Sequence, residues 1–258
     1  MRSKGRALQV VAGAASGGAA LVVRAESRIA RAADLDGKTI ATPQLGNTQD
    51  IALRAYLAEN GLTPTDKGGR VRITPIASPD ILNLMRQGEI DGAWVPEPWV
   101  TRLLGEADCR LHLDERTLWP EGRFSTALVV TSRAFLGEHP ELVRRFLQAH
   151  VEITEWIRAN PREAVERVNA EMGRLLGKPL PAHVAIDAFS RMEVTYDPIE
   201  TSLLRNAGRA FELGFLGSRR PSMEGVVDLR LLNDVLAERG LALIGDGGGG
   251  SHGHASDD

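Results

Sequence analysis

Free backbone N–H groups gather where a strand turns into a helix, and Gly46-Asn47-Thr48 reads as such a turn, ahead of Ile51, Ala52, Ala55 and Tyr56 at helical spacing. The positive end of the helix dipole adds to those donors, so the turn suits an anion. A plain helix cap by Asn47 or Thr48 explains the same residues. Asp50, in the first turn, would compete for the same potential. A second candidate is Ser16-Gly17-Gly18, where missing side chains let backbone approach a ligand, although a tight turn without a ligand accounts for it equally. The third is the pair Trp94 and Trp99 around Pro96-Glu97-Pro98, at the predicted end of a strand, where ligands of α/β sheets lie. The indoles can wall a pocket and face a cation, or they can be core. Glu97 would repel an anion unless the ligand also carries an amine, and a solvated loop acid is the alternative reading.

Other chemistries lack their residues. No nucleophile motif, phosphate-binding loop or paired metal ligands are present. His139 and His150 stand three helical turns apart without a partner, and His252 and His254 in a glycine tail make a poor metal site. Neither catalysis nor a cofactor is expected. The single cysteine, Cys109, forbids an internal disulfide and reads as a small buried residue. Thirty-one basic against 34 acidic residues leave a net charge of −3 with no basic block, which argues against nucleic acid as a partner.

Positioning these residues requires alternating strands and helices. Residues 39–41 read as a short buried strand and residues 71–76 as the next. Ser78-Pro79-Asp80 supplies a cap, a first-turn proline and a first-turn acid for a helix ending at Gly88. Residues 90–95 return as a strand, so residues 39–95 read β-α-β-α-β, the pattern of an α/β unit with parallel strands. A short helix over 99–106 and strand candidates at 110–113 and 124–131 follow. From Pro140 the pattern turns helical, with Leu142, Val143, Phe146, Leu147, His150, Val151 and Thr154 on one spacing, then helices opened by Pro161 and Pro198 and a last one over 229–238. Near the start, Arg2, Lys4 and Arg6 precede a weakly apolar run over 7–23 that resembles a secretory signal, but Gly13, Gly17 and Gly18 weaken any helix there. Val10-Val11 and Leu21-Val22-Val23 read better as two short strands around a small-residue turn. Residues 245–258 are rich in glycine, serine, histidine and aspartate and are expected to be disordered.

Asp34-Leu35-Asp36-Gly37-Lys38-Thr39-Ile40-Ala41-Thr42, with Gly46-Asn47-Thr48-Gln49-Asp50 after it, resembles the sulfonate, taurine and nitrate solute-binding proteins of ABC importers. So do Gly13-Ala14-Ala15-Ser16-Gly17-Gly18, the run from Gln87 through Trp94-Val95-Pro96-Glu97-Pro98-Trp99, Asp114-Glu115, His139-Pro140, Ala159-Asn160-Pro161 and Leu232-Asn233. The resemblance implies an α/β, two-lobe periplasmic-binding-protein-like fold of type II that closes on a small anionic or zwitterionic solute and presents it to a permease and ATPase. It implies a periplasmic or membrane-anchored extracytoplasmic location, and cytoplasmic if Met1 is the true start, since no convincing export signal is read. It also places ligand contacts at Gly46–Thr48 and makes Ser16, Gly17, Gly18, Trp94, Glu97 and Trp99 the other candidates. Set on the family pattern, residues 1–34 are expected to be a remnant of lobe one with a crossover strand, and 35–124 to be lobe two. Residues 125–244 are then the return crossover and helices packing on lobe one, whose first part is expected to be missing. Two other functions share the fold: an enzyme like the thiamine pyrimidine-precursor synthases, whose histidine- and cysteine-rich apparatus is not found here, and a cytoplasmic ligand sensor.

Overall fold

The computed structural model describes residues 8–245. The basic residues Arg2, Lys4 and Arg6, the histidines His252 and His254 and the tail beyond Gly245 lie outside the described residues. The described residues open on two nearly continuous strands, β1 (Leu8–Gly17) and β2 (Ala19–Arg24), and each belongs to a different sheet. The expected turn over residues 13–18 is thus a correction: β1 runs on through Gly13 to Gly17, and only Gly17 and Gly18 take left-handed backbone, at φ 78° and 74°. Glycine permits both, and this is where the chain leaves one sheet for the other.

The larger sheet is built from β2 together with β3 (Thr39–Thr42), β4 (Arg72–Pro75), β5 (Gly92–Pro96) and β6 (Cys109–Asp114). Their spatial order is β4-β3-β5-β2-β6. β3 runs parallel to β4 and β5, whereas β2 lies antiparallel to both β5 and β6. Helices α1 (Thr48–Glu59), α2 (Ser78–Gln87) and α3 (Trp99–Glu106) supply the crossovers and the cover. Strand alternation divides the core in two. Ala20, Val22, Ala41 and Val95 point toward Ile81, Leu82 and Met85 of α2 and Val100 and Leu103 of α3. Leu21, Val23, Ile40 and Trp94 point the other way, toward Leu53 and Leu57 of α1. Ser78 does not cap α2 as the sequence suggests. Ala77 holds the cap position without a side-chain bond, and Ser78 is the first helical residue, while Gly88 in the left-handed region ends the helix as expected.

The smaller sheet holds β1 in the middle, antiparallel to β7 (Ser125–Ser132) on one side and to β8 (Met192–Val194) on the other. Around it stand α4 (Arg133–Glu138), α5 (Pro140–Ala159), α6 (Pro161–Leu176), α7 (Ala182–Ser190), α8 (Glu200–Glu212) and α9 (Arg230–Glu238). Val143, Leu147 and Val151 of α5, one per helical turn, meet Val11 and Ala12 of β1 and Leu232, Val235 and Leu236 of α9. The neighbouring residues Leu142 and Phe146 stay 52% and 55% exposed, so part of the apolar pattern on α5 has no cover among the described residues. Gly13 lies so close to the segment after β8 that an added Cβ would stand 2.1 Å from the Asp197 carbonyl oxygen. Among the described residues no helix is long and apolar enough to cross a membrane.

Candidate functional site

Strand direction gathers most of the sequence candidates at one edge of the larger sheet. The parallel strands β3 and β5 end there, at Thr42 and Pro96, and the antiparallel β2 begins there, with Ala19 opposite Pro96 and Ala20 opposite Asp114 at the end of β6. Gly17, Gly18, Glu97 and the loop leading to Thr48 therefore leave the sheet on the same side.

At the loop, the structure explains both the capping signal and the acid behind it. Asn47 accepts from the Asp50 amide at 2.9 Å and caps α1, while the fully buried Asp50 carboxylate reaches back to accept from the Gly46 amide at 2.9 Å. Thr42 Oγ1 (3.3 Å) and Arg54 Nε (3.0 Å) complete its partners. Asp50 is thus neutralised from behind by Arg54, and it withdraws the Gly46 donor that the sequence assigns to an anion. The amides of Thr48 and Gln49 make no hydrogen bond among the described residues. Thr48 is exposed, and Gly46, at φ 72°, has the Phe215 ring against it where a Cβ would stand.

Gly18 and Glu97 are brought together. The Glu97 amide donates to the Gly18 carbonyl at 2.7 Å, and the Gly18 amide donates to the Arg191 carbonyl at 3.0 Å. The Glu97 side chain is 1% exposed, so the reading of a solvated loop acid is corrected. Its oxygens accept from the Thr101 amide and hydroxyl at 3.1 and 3.0 Å, with Arg191 at 3.6 Å. Burial raises its carboxyl above the usual range, and the Thr101 bonds and the Arg191 charge oppose that rise. Ser16 is buried as well, and its Oγ accepts from the Phe124 amide at 3.1 Å, which pins the two crossings together.

The tryptophans separate. Trp94 has no exposed surface and sits in the core, its indole N–H held by Glu115 at 2.8 Å, so its place as a pocket wall is corrected. Trp99 is half-buried against the core of the larger sheet, with Arg102 4.7 Å above its ring.

Sequence reasoning missed a set of arginines. A cavity of about 600 Å³ at the crossings is lined by Ser16, Asp114, Arg116, Arg123, Arg191 and Glu193 among others. Arg116 is bound to Asp114 at 2.6 Å, and Arg123 to Glu193 and Asp197 at 3.0 and 3.2 Å. Burial disfavours ionisation of Asp114, and its bonds to Arg116 outweigh this, holding the carboxyl below its ordinary value. Arg116 and Arg123 come from the connection between β6 and β7 and Arg191 from the end of α7, so the cluster is assembled only by the fold. Among the described residues no group of three or more His, Cys, Asp or Glu side chains is placed to hold a metal.

Two sheets joined at a pair of chain crossings, with loops converging between them, define a two-lobed α/β protein. Comparison is more specific: a model of the NMT1-like family matches residues 1–172, and the chain belongs to that family. It is 31% identical over 162 residues to the taurine-binding periplasmic protein of Escherichia coli (strain K12), an alignment covering 62% of this chain and 48% of that protein. The chain thus spans about half the length of this curated relative. Among solved structures, the periplasmic aliphatic sulphonate binding protein SsuA from Escherichia coli superposes with a TM-score of 0.70 at 19% identity, over 87% of this chain and 70% of that one. The desulfurization enzyme DSZB has the same fold at a TM-score of 0.61 and 19% identity, over 93% and 81%.

Proposed function

We propose that the protein to which this chain belongs is the binding component of an ABC importer for a small anionic or zwitterionic solute of the sulfonate, taurine or nitrate kind, working outside the cytoplasmic membrane with a permease and an ATPase. The observation that carries the reading is the start of α1, where the amides of Thr48 and Gln49 have no partner among the described residues, at the edge on which Gly18 and Asp114 also lie. A sulfonate oxygen is an acceptor without a proton to give, which is what two free N–H groups at a helix N-terminus require. The contact set we propose is Asn47, Thr48, Gly17 and Gly18, with Asp50 and Glu97 shaping the walls from behind. Binding then needs no bond-making step, only lobe closure, whose free energy comes from the solute's preference for the closed arrangement.

A thermal-shift series with taurine, alkanesulfonates, nitrate and bicarbonate tests the reading. A ligand at a hundred times its dissociation constant adds about 2.7 kcal/mol to stability, enough for a shift of a few degrees. Thr48→Pro, which keeps the chain direction but removes one donor, should abolish that shift while leaving the unliganded melt within a degree or two. No shift with any of the four solutes refutes the proposal.

A further inference from the structure

Glu115 takes no part in the anion site, and its surroundings are unusual for an acid. It follows β6 directly and is 4% exposed. Its Oε2 accepts the Trp94 indole N–H at 2.8 Å from inside the larger sheet, while its Oε1 stands 3.4 Å from the indole nitrogen of Trp119. Trp119 carries the contact outward. It stacks on Phe124 with 5.8 Å between ring centres, and Arg205 and Arg209 of α8 lie 5.3 and 5.1 Å from its ring. Phe124 is the residue whose amide is bound by Ser16 at the end of β1. A single carboxyl group therefore links the sheet core to the return crossing, the outgoing crossing and a helix of the other half.

The charged groups facing it are engaged elsewhere. Asp114 and Arg116, beside it in the chain, hold each other. From α8, Arg209 bonds Glu59 of α1 at 2.6 Å and Arg205 approaches the same carboxylate at 3.8 Å. Tyr56 of α1 meets the edge of Trp94 and titrates far above neutrality, raised by burial. Among the described residues no cation stands within ion-pair distance of Glu115, so two indole dipoles are its only direct partners.

We propose that Glu115 is a proton-operated latch on the return crossing, which keeps residues 114–124 closed while its carboxyl is neutral and lets them open as the proton leaves. The unequal indole distances fit a neutral acid, whose carbonyl oxygen accepts well and whose hydroxyl oxygen accepts poorly. Burial, opposed by the two indole bonds and the Arg209 charge, pushes the carboxyl up to about 7, so the change falls within the neutral range. The direction follows from linkage. The closed arrangement binds the proton more tightly than a hydrated one, so closure is fully favoured below the ordinary carboxylate range and is lost as pH rises through about 7. With an ordinary value near 4.5 in the open form, the opening equilibrium grows ~25-fold between pH 5.5 and 8.

Hydrogen exchange of the full chain without any ligand tests this, with rates corrected for intrinsic pH dependence and residues 39–42 as internal reference. Amides of residues 114–124 should lose protection ~25-fold over that range in the wild type and remain level in Glu115→Gln, which is permanently neutral. Should Glu115→Gln fail to fold, Trp94→Phe removes the shorter N–H bond to the carboxylate and should move the midpoint upward. A flat wild-type profile overturns the latch. The same pH dependence surviving in Glu115→Gln, or an unmoved midpoint in Trp94→Phe, overturns it equally and assigns the effect to another group such as His112. Because no solute is present, neither outcome depends on the proposed ligand.

Discussion

Replacing Asp50 by alanine tests whether the loop ahead of α1 is moulded from inside the protein. The carboxylate has no exposed surface and accepts from Gly46, Thr42 and Arg54 at 2.9, 3.3 and 3.0 Å. Alanine would leave the Arg54 guanidinium, 5% exposed, with Asp66 alone, an exposed partner at 2.9 Å. Removing one member of a buried ion pair costs about 3–5 kcal/mol, and the surviving Asp66 contact argues for about 3. The unsatisfied Gly46 amide adds about 1 kcal/mol, giving a loss of about 4. Asparagine keeps an oxygen toward Gly46 and should lose about 2 kcal/mol. Urea unfolding followed by circular dichroism reads both numbers, provided the slope stays constant. If alanine costs under about 1 kcal/mol, or if asparagine and alanine cost the same, the loop is not held by this carboxylate and the argument for its shape fails.

Two further perturbations probe the smaller sheet. Gly13→Ala drives a methyl against the Asp197 carbonyl, a backbone atom that cannot swing away, and it endangers the 2.7 Å bond from the Gly13 amide to the Tyr196 carbonyl. A loss of about 2–4 kcal/mol is expected by chemical denaturation, against under about 1 kcal/mol for Gly105→Ala in α3, where the space is open and the backbone is not left-handed, and equal costs would refute the close approach. Leu142→Ser with Phe146→Ser removes the exposed part of the α5 pattern. The double variant should change stability by under about 1 kcal/mol yet clearly lower hydrophobic-dye fluorescence and concentration-dependent association, and unchanged dye binding would place the patch elsewhere.

The larger sheet was legible because each of its segments is consistent at every level. β3, α1, α2, β5 and α3 combine apolar periodicity with Pro, Asn or Gly signals at their ends, and helix α3 occupies the residues its pattern marks. Three elements were not legible. β8 is three residues long and has no alternation to detect, since its pairing with residues 15–17 of β1 creates it. α4 and α7 span six and nine residues, too short for a period to stand out. Around the site, Asn47 carries its cap signal in the sequence, but Trp94 and Glu97 could not be sorted. Trp94 became core because Glu115, 21 residues away, supplies its N–H partner, and Glu97 became buried because Thr101 and Arg191 satisfy it. The bonds of Trp94 to Glu115, of Glu97 to Arg191 and of Arg123 to Glu193 and Asp197 are made by the tertiary fold, whereas Arg116 bonds Asp114 two residues before it.

The position of β1 also decides the order in which a growing chain can complete itself. The strands of the larger sheet lie between residues 19 and 114, so that sheet can close once about that length has emerged. β1 precedes all of them, yet its partners are residues 125–132 and 192–194. At a synthesis rate of roughly 5–20 residues per second, its first partner follows it by about 6–20 seconds and its second by about 9–35. Through that interval a ten-residue strand carrying Val10, Val11 and Ala12, all destined for the interior, still awaits both of these partners beside an already formed sheet. Of the described strands, β1 therefore waits longest for these partners, and a chaperone acting at the ribosome would meet its demand at that strand.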